Sequence, residues 1–226
     1  MKTLKKFMSK YGHAMWIVAY MAFYLVGFFI LEHAGHRHYH VIHSWLDDQI
    51  PFCEYFIIPY LLWFFYIAAG VIWFIVKCED RREYYQLISV LAIGMTVFLV
   101  VSCVYPNKQD LRPAVFVRDN IFTQMVQMIY QMDTPTNVLP SIHVFNSLVM
   151  FYAIHGNEKL RSNRPVYIGS GILTVMIVLS TMFLKQHSVV DVSLGVLMSV
   201  AVQMFCEHVF QGEGSEYRKD DLRRIY

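Results

Sequence analysis

Long apolar stretches separated by short polar segments make up most of the chain. Several of them reach about 20 residues, the length that an α-helix needs to cross the hydrocarbon core of a bilayer. They predict spans at residues 14–31, 56–76, 86–105, 166–184 and 188–209, and a shorter run at 141–155 predicts a sixth. The pattern therefore predicts an all-α polytopic membrane protein, folded as a single bundle of six transmembrane helices over residues 1–226.

Three polar segments outside the spans add to this prediction. Residues 1–12 form a basic N-terminal lead suited to anionic headgroups. Residues 211–226 form a charged cytoplasmic tail, of which we expect the last dozen residues to fray. The long loop at 106–139 carries apolar residues at helical spacing between Asn120 and Met132. That spacing predicts a short interfacial helix, which would lie along the membrane face as a partial lid.

The composition agrees with a membrane protein and excludes an ordinary soluble domain. Hydrophobic residues make up 56% of the 226 positions and charged residues only 16%, a balance more apolar than soluble chains show. The first apolar run has full span length and is followed by histidines instead of a small-residue cleavage site, so we expect a retained helix and no cleaved signal peptide. Membrane lipids are the expected surroundings, and no nucleic-acid partner is expected.

The distribution of lysine and arginine predicts the orientation in the membrane. Four segments, at 2–10, 77–82, 159–164 and 218–224, hold 14 of the 19 basic residues. Short loops rich in these residues stay on the cytoplasmic side. Both termini are therefore predicted to be cytoplasmic, with the first, third and fifth loops outside a membrane that we take to be the plasma membrane.

The sequence around His187 holds the first candidate for chemistry. Asp191 follows His187 by four residues, so on a helix both side chains lie on one face, about one turn apart. The carboxylate can then accept the proton of one imidazole nitrogen and leave the other nitrogen nucleophilic. The same pair is also typical of a helix start in which a cap and a polar contact are satisfied.

Two further polar clusters favour a functional site. Arg112 follows the third predicted span and His143 opens the fourth, so the topology places both at the membrane depth of the His187 pair. Histidines, cations and a carboxylate are costly in hydrocarbon, and together at one end of a bundle they indicate function. The candidate residues at this depth are Lys108, Arg112, Ser141, His143, Lys185, His187 and Asp191.

Phosphoryl transfer is the chemistry that suits this set. His187 would attack phosphorus as the nucleophile, while Asp191 holds its tautomer and stabilises the cation that forms. His143 would protonate the leaving oxygen and then activate the water that releases phosphate. These catalytic roles call for no metal and no other cofactor.

Phosphate binding is assigned to three cations and one helix start. Arg112 can hold phosphate oxygens with the two-pronged fork of its guanidinium, whereas Lys108 and Lys185 would act as point charges. Backbone amides near Ser141 and Ile142 can bind a further oxygen, as helix N-termini commonly do.

These residues resemble the three motifs of the type 2 phosphatidic acid phosphatase superfamily of integral membrane lipid phosphatases and phosphotransferases. The family's first motif is Lys, six residues, Arg-Pro; the second is Pro-Ser-Gly-His; the third is Ser-Arg, five residues, His, three residues, Asp. Their counterparts here are Tyr105, six residues, Arg112-Pro113; Pro140-Ser141-Ile142-His143; and Ser180-Thr181, five residues, His187, three residues, Asp191. The likeness covers roughly the region from the third to the sixth span, residues 86–209.

Three positions depart from the family pattern. Tyr105 stands where the family has Lys, Ile142 where it has Gly, and Thr181 where it has Arg. Two phosphate-binding cations are thus missing from their usual places, and Lys108 and Lys185 are nearby substitutes. Residues 46–52 and 185–187 look closest to the branch that contains inositol phosphorylceramide synthases and their bacterial relatives.

The resemblance implies a metal-independent phosphohistidine route in a six-helix core, with a lipid phosphate or lipid diphosphate as the substrate. Hydrolysis at the extracytoplasmic face is the leading expectation. Transfer to a hydroxyl acceptor shares the phosphohistidine half of the reaction and stays open. A non-enzymatic scaffold also stays open, because Tyr105 and Thr181 depart from the motifs.

A histidine-rich segment at 33–43 offers a different function. His36, His40 and His43 would share one face of a helix, an acceptable geometry for zinc, so a metal-binding or transport protein is a further alternative to a wet interfacial loop without metal. Cys53 and Cys103 fall near the outer face and could pair, although unpaired thiols are favoured for all four cysteines. The sequence does not predict an oligomeric state.

Overall fold

The computed structural model describes residues 12–34 and 38–223, so most of the basic lead lies outside the described residues. The chain is mostly helical there. The helices are α1 Met15–Glu32, α2 Trp45–Gln49, α3 Ile57–Val76, α4 Arg81–Val104, α5 Ile121–Met132, α6 Ile142–Gly156, α7 Glu158–Ser162, α8 Arg164–Phe183 and α9 Val189–Arg223. Two 3-10 turns, Gly12–Ala14 and Glu54–Phe56, and two short strands, β1 His40–Val41 and β2 Asn107–Lys108, complete the elements.

Five helical segments of the described chain are long and apolar enough to span a membrane: α1, Glu54–Val76, α4, α8 and Val189–Phe210. The membrane-type helical bundle is thereby confirmed in its coarse form. The sixth predicted span is a helix, but α6 has only 15 residues. At the usual rise this is about 22 Å, short of the roughly 30 Å hydrocarbon core.

Helix α6 lies at the centre of the bundle, which explains why it can be short. It packs against α3, α4, α8 and α9, whereas α1 packs on the outer side of α4. Because neighbouring helices surround α6, it needs no long apolar surface towards lipid. Close approach depends on glycine: a Cβ at Gly94 would lie 2.0 Å from the ring of Phe145, and one at Gly195 would lie 2.8 Å from the carbonyl oxygen of Ser141.

The helix predicted in the long loop is confirmed as α5. Its start is capped by Asn120, whose side chain accepts hydrogen bonds from the amides of Phe122 and Thr123, while the hydroxyl of Thr123 accepts one from the Asn120 amide. Such a capping box satisfies helix-initial amides that have no partner within the helix. At the other end of the chain, α9 continues to Arg223, past the predicted end of the last span at residue 209.

A parallel pair of strands joins the first and third loops. His40 lies opposite Asn107 and Val41 opposite Lys108. The expectation that His40 and His43 share a helix face is therefore wrong, because the backbone at His40 is extended to pair with β2 and the next helix begins only at Trp45. His36, the third residue of that predicted face, lies outside the described residues.

Candidate functional site

A buried histidine relay lies where α6, α8 and α9 meet. The Nδ1–H group of His187 donates to Oδ2 of Asp191 at 2.6 Å, and Nε2 of His187 lies 3.4 Å from Nδ1 of His143. These side chains are almost fully shielded, with 7% of His187, 8% of His143 and none of Asp191 exposed. The i,i+4 geometry predicted for the His187 pair is present at the start of α9.

Two aromatic rings of α3 hold His143 in place. The ring of Tyr60 stacks on the imidazole with centroids 4.8 Å apart, and the indole of Trp63 lies 4.4 Å from it. Rings at these distances restrict the rotation of the imidazole about its side-chain bonds, since the surrounding space is filled. Neither aromatic residue was part of the predicted site, because their partner is distant in sequence.

Arg112 reaches the relay through Gln186, the residue before the proposed nucleophile. Its Nη2 group donates to Oε1 of Gln186 at 2.6 Å and to the carbonyl of Asp133 at 2.7 Å, and Nη1 donates to the carbonyl of Tyr130 at 3.0 Å. The guanidinium also lies over the Tyr130 ring, 4.3 Å from its centre. The structure therefore orients Arg112 towards the segment that carries His187.

Two buried N–H groups at this point have no hydrogen-bond partner among the described residues. They are Nε of Arg112 and Nε2 of Gln186, the latter on a side chain only 3% exposed. Buried donors are nearly always satisfied by protein, water or ligand. Unpaired donors of this kind suit an anionic group, which accepts hydrogen bonds strongly.

Asp133 is a second carboxylate at this end that the sequence did not single out. Its Oδ2 atom accepts a hydrogen bond from the hydroxyl of Tyr60 at 3.2 Å. Burial raises the pKa of the Asp133 carboxyl, although the nearby His187 and Arg112 act in the opposite direction. Asp133 thus links the ring that packs on His143 to the loop that carries Arg112.

The loop before α6 is held by Asn107. Its side-chain oxygen accepts from the amides of Val138 at 2.8 Å and Leu139 at 2.9 Å, and its carbonyl accepts from the amide of Asn137 at 2.7 Å. Asn107 is fully buried, so these bonds replace solvent for a loop that runs into the bundle. They fix the backbone just before the segment that carries Ser141 and His143.

The remaining predicted phosphate ligands have other partners in this structure. The amide of Ser141 donates to the carbonyl of Asp191 at 3.0 Å, so it is engaged, and later amides of α6 would have to bind an anion. The ammonium of Lys185 donates to the carbonyl of Asp47 at 2.6 Å, and burial lowers its pKa. Lys108 lies on β2, where its carbonyl accepts from the amide of Ile42. Phosphate binding by these residues stays a prediction.

Three histidines of the histidine-rich segment contact groups other than a metal. His33 stacks on Phe29, His40 stacks on Tyr105 with centroids 4.4 Å apart, and His43 bonds to Asp48 at 3.0 Å. Within residues 12–34 and 38–210, no group of three His, Cys, Asp or Glu side chains is placed to hold a metal ion. All four cysteines are present as thiols.

Comparison of the chain with protein-family models, with curated proteins and with solved structures gave no significant match.

The chemistry of the site therefore has to be judged from its geometry. A carboxylate fixes one nitrogen of His187, which leaves the lone pair of the other nitrogen directed at His143. Such an arrangement supports a nucleophile or a general base, with the neighbouring imidazole able to carry a proton to or from the reacting group. The side-chain N–H groups of Arg112 and Gln186 next to it can stabilise a negative charge.

Proposed function

We propose that this chain is a membrane-embedded phosphatase that hydrolyses a lipid phosphate or lipid diphosphate through a phosphohistidine intermediate. The observation that carries the proposal is the buried relay Asp191–His187–His143, with Arg112 bonded to the residue next to His187. Three sequence segments separated by long intervals thus contribute to one end of the bundle. The resemblance of those segments to the type 2 phosphatidic acid phosphatase superfamily supports the same assignment.

In the proposed reaction, Nε2 of His187 attacks phosphorus, and the bond from phosphorus to the leaving oxygen breaks. Asp191 keeps the proton on Nδ1 and stabilises the positive charge that the ring gains. His143 gives its proton to the leaving oxygen and then takes one from water, which attacks the phosphohistidine and releases inorganic phosphate. The guanidinium of Arg112 and the amide of Gln186 bind the non-bridging oxygens.

Substrate binding has to separate the two imidazoles. In this reaction the phosphoryl group lies between the nucleophile and the acid, and the present separation of 3.4 Å between Nε2 of His187 and Nδ1 of His143 leaves no room for it. The low exposure of both rings also requires an opening of the site. Conformational steps of this kind commonly accompany catalysis in enzymes that exclude water.

Transfer of the phosphoryl-bearing group to a lipid or sugar hydroxyl is the second candidate. The burial of the relay favours it, because a site closed to water suppresses hydrolysis of a reactive intermediate. Both reactions begin with the same attack by His187. Adding a hydroxyl acceptor to the assay separates them, since transfer yields a phosphorylated acceptor in place of free phosphate.

We further propose that the chain lies in the plasma membrane with both termini cytoplasmic and the active site on the extracytoplasmic face. The basis is the charge bias of the loops. Membrane lipids surround the bundle, and the substrate enters from their headgroup layer.

The test uses purified protein in sealed, oriented vesicles with a panel of lipid phosphates and an impermeable chelator outside. We expect phosphate release outside the vesicles with chelator present, because Arg112 and the neighbouring donors supply the charge that a metal would otherwise bring. Activity that is lost in chelator and restored by zinc would transfer the chemistry to the histidine-rich loop and overturn the proposal.

A further inference from the structure

Asp47 is a buried carboxylate of the first loop whose oxygens are both engaged. It lies in α2 and is only 2% exposed. Its Oδ2 atom accepts from the hydroxyl of Ser188 at 2.6 Å and from the amide of Ser44 at 2.7 Å, and its Oδ1 atom accepts from the amide of Val189 at 2.8 Å. Its backbone carbonyl accepts from the ammonium of Lys185.

These contacts lie on both sides of His187. Lys185 precedes it by two residues, and Ser188 and Val189 follow it directly. Helix α9 begins at Val189, so the amide of that residue has no acceptor within its own helix, and the Asp47 carboxylate caps it from a segment about 140 positions earlier. A negative charge at this position is also favoured by the helix dipole.

The turn that Asp47 holds is conformationally demanding. Lys185 adopts a left-handed backbone with φ of 53°, which a residue with a Cβ rarely takes up and which persists only when surrounding contacts enforce it. The amides of Gln186 and His187 both donate to the carbonyl of Thr181, at 2.9 and 3.0 Å. The backbone of His187 is therefore set by this turn on one side and by the Asp47 cap on the other.

We infer that Asp47 is a positioning residue for His187, and the inference rests on the proposed function. By tying α2 to the turn before α9, Asp47 fixes the backbone from which the imidazole reaches Asp191 and faces His143. Asp47 does not contact the reacting atoms. Removing the Asp47 carboxylate would leave the imidazole of His187 chemically intact but wrongly oriented. A misplacement of about 1 Å lowers rates by about 100-fold.

Asp48 provides a matched control. It carries the same charge on the adjacent position, its side chain is 62% exposed, and its carboxylate bonds only to His43 among the contacts of the described residues. Replacing Asp48 by Asn tests the loss of a carboxylate from α2 without removing a hydrogen bond to the turn at His187.

The experiment compares Asp47→Asn, Ser188→Ala, their double variant and Asp48→Asn in detergent-purified protein. We expect Asp47→Asn to lower kcat on a short-chain phosphatidic acid by about 10- to 100-fold with KM within about threefold. Ser188→Ala should lower kcat less, and the loss in the double variant should be smaller than the two single losses combined, since each single variant already breaks the contact between Asp47 and Ser188. Asp48→Asn should match the parent.

Imidazole NMR signals of 15N-histidine-labelled protein, with the His187 signal assigned by its loss in His187→Gln, report positioning without turnover. The expected result is a shifted His187 signal in Asp47→Asn and an unshifted one in Asp48→Asn. An unchanged signal together with unchanged kcat would overturn the inference, as would additive losses in the double variant. If Asp47→Asn does not fold, Ser188→Ala alone must show both changes. Failure of every protein to release phosphate would refute the proposed function, while the NMR comparison would still decide the role of Asp47.

Discussion

The polar residues at the two ends of the bundle differ in burial. The histidine end is formed by His143, Gln186, His187, Asp191 and Arg112, of which Arg112 is half-buried and the others are buried. Hydrogen bonds join His143 to His187, His187 to Asp191, and Arg112 to Gln186. At the carboxylate end, formed by Asp80, Glu83 and Glu207, the polar side chains surround an open cavity of about 680 Å³ between α3, α4, α6 and α9. Asp80 and Glu207 there are exposed.

Burial of ionisable groups, and not the presence of a cavity, is therefore what distinguishes the end of the bundle to which we assign the proposed chemistry. Exposed charges near a membrane surface are solvated and are inexpensive to keep. Buried ionisable groups require compensating bonds, and the histidine end provides them through contacts between loops and helices distant in sequence. Among the described residues, the lining of the cavity at the carboxylate end carries no comparable buried relay.

The largest effect should come from the relay. His187→Ala and His143→Ala should each lower phosphate release by at least about 100-fold, because nucleophile and acid are lost, and Asp191→Asn should lower it strongly because the tautomer of His187 is no longer held. Glu207→Gln at the carboxylate end is the control and should retain parental rates. Turnover is measured on a lipid phosphate, with circular dichroism to confirm folding. Parental turnover in His187→Ala would refute the assignment.

The second largest effect should come from Arg112. Arg112→Ala should lower kcat/KM by about 10- to 150-fold, equivalent to roughly 1.5–3 kcal/mol for hydrogen bonds to a charged group. Arg112→Lys should recover only part of the loss, since an ammonium cannot bond to Gln186 and phosphate with the fixed fork of a guanidinium. Inhibition by vanadate should weaken in parallel. Equal vanadate inhibition of Arg112→Ala and the parent would exclude a phosphate-binding role.

A smaller and unequal effect is expected for the two lysines. Lys185→Ala should lower kcat by about tenfold, because the ammonium supports the left-handed turn before His187 through the carbonyl of Asp47. Lys108→Ala should raise KM and leave kcat nearly unchanged if its charge assists substrate binding from β2. Steady-state kinetics of both variants separate these patterns. If both variants keep parental kinetics and parental inhibition by phosphate, neither lysine replaces the missing family cations.

Local sequence spacing sufficed for part of this structure. The i,i+4 separation of His187 and Asp191 predicted their contact, and apolar periodicity predicted α5 within the long loop. The five long spans were placed within two residues of their observed ends, except that α4 begins at Arg81 instead of residue 86 and α9 extends to Arg223. These features depend on neighbours along one helix, which periodicity describes directly.

Contacts that depend on the folded arrangement were missed. Tyr60 reaches Asp133 across 73 positions, Arg112 reaches Gln186 across 74, and Asp47 reaches Ser188 across 141. Nothing local to Asp47 distinguishes it from Asp48, although one is buried and the other exposed. The helical face predicted for His40 failed for the same reason, because pairing with β2 across the bundle end determines the backbone there.

The smallest expected effect concerns Asp133, a half-buried carboxylate of the loop before α6. Burial raises the pKa of Asp133 above its ordinary value in spite of nearby His187 and Arg112. A carboxyl group with a raised pKa in the folded state contributes stability that is complete below its unfolded pKa of about 3.9 and is lost as pH rises through the folded pKa. The amide side chain of the Asp133→Asn variant cannot ionise, so the melting temperature of this variant relative to the parent should rise between about pH 4 and pH 8.

The matched control for this prediction is Asp110→Asn, which removes an exposed carboxylate from the same loop. Its melting temperature should follow the parent across the range, because this variant removes no buried group and leaves Asp133 unchanged. The amide oxygen introduced by Asp133→Asn can still accept the Tyr60 hydrogen bond, so this variant should keep phosphate release within about tenfold of the parent, the range expected for weakening one hydrogen bond. The measurement is a series of melting curves, recorded by intrinsic fluorescence in one detergent at several pH values. A difference in melting temperature between Asp133→Asn and the parent that does not change with pH would show that ionisation of Asp133 does not oppose folding at the histidine end.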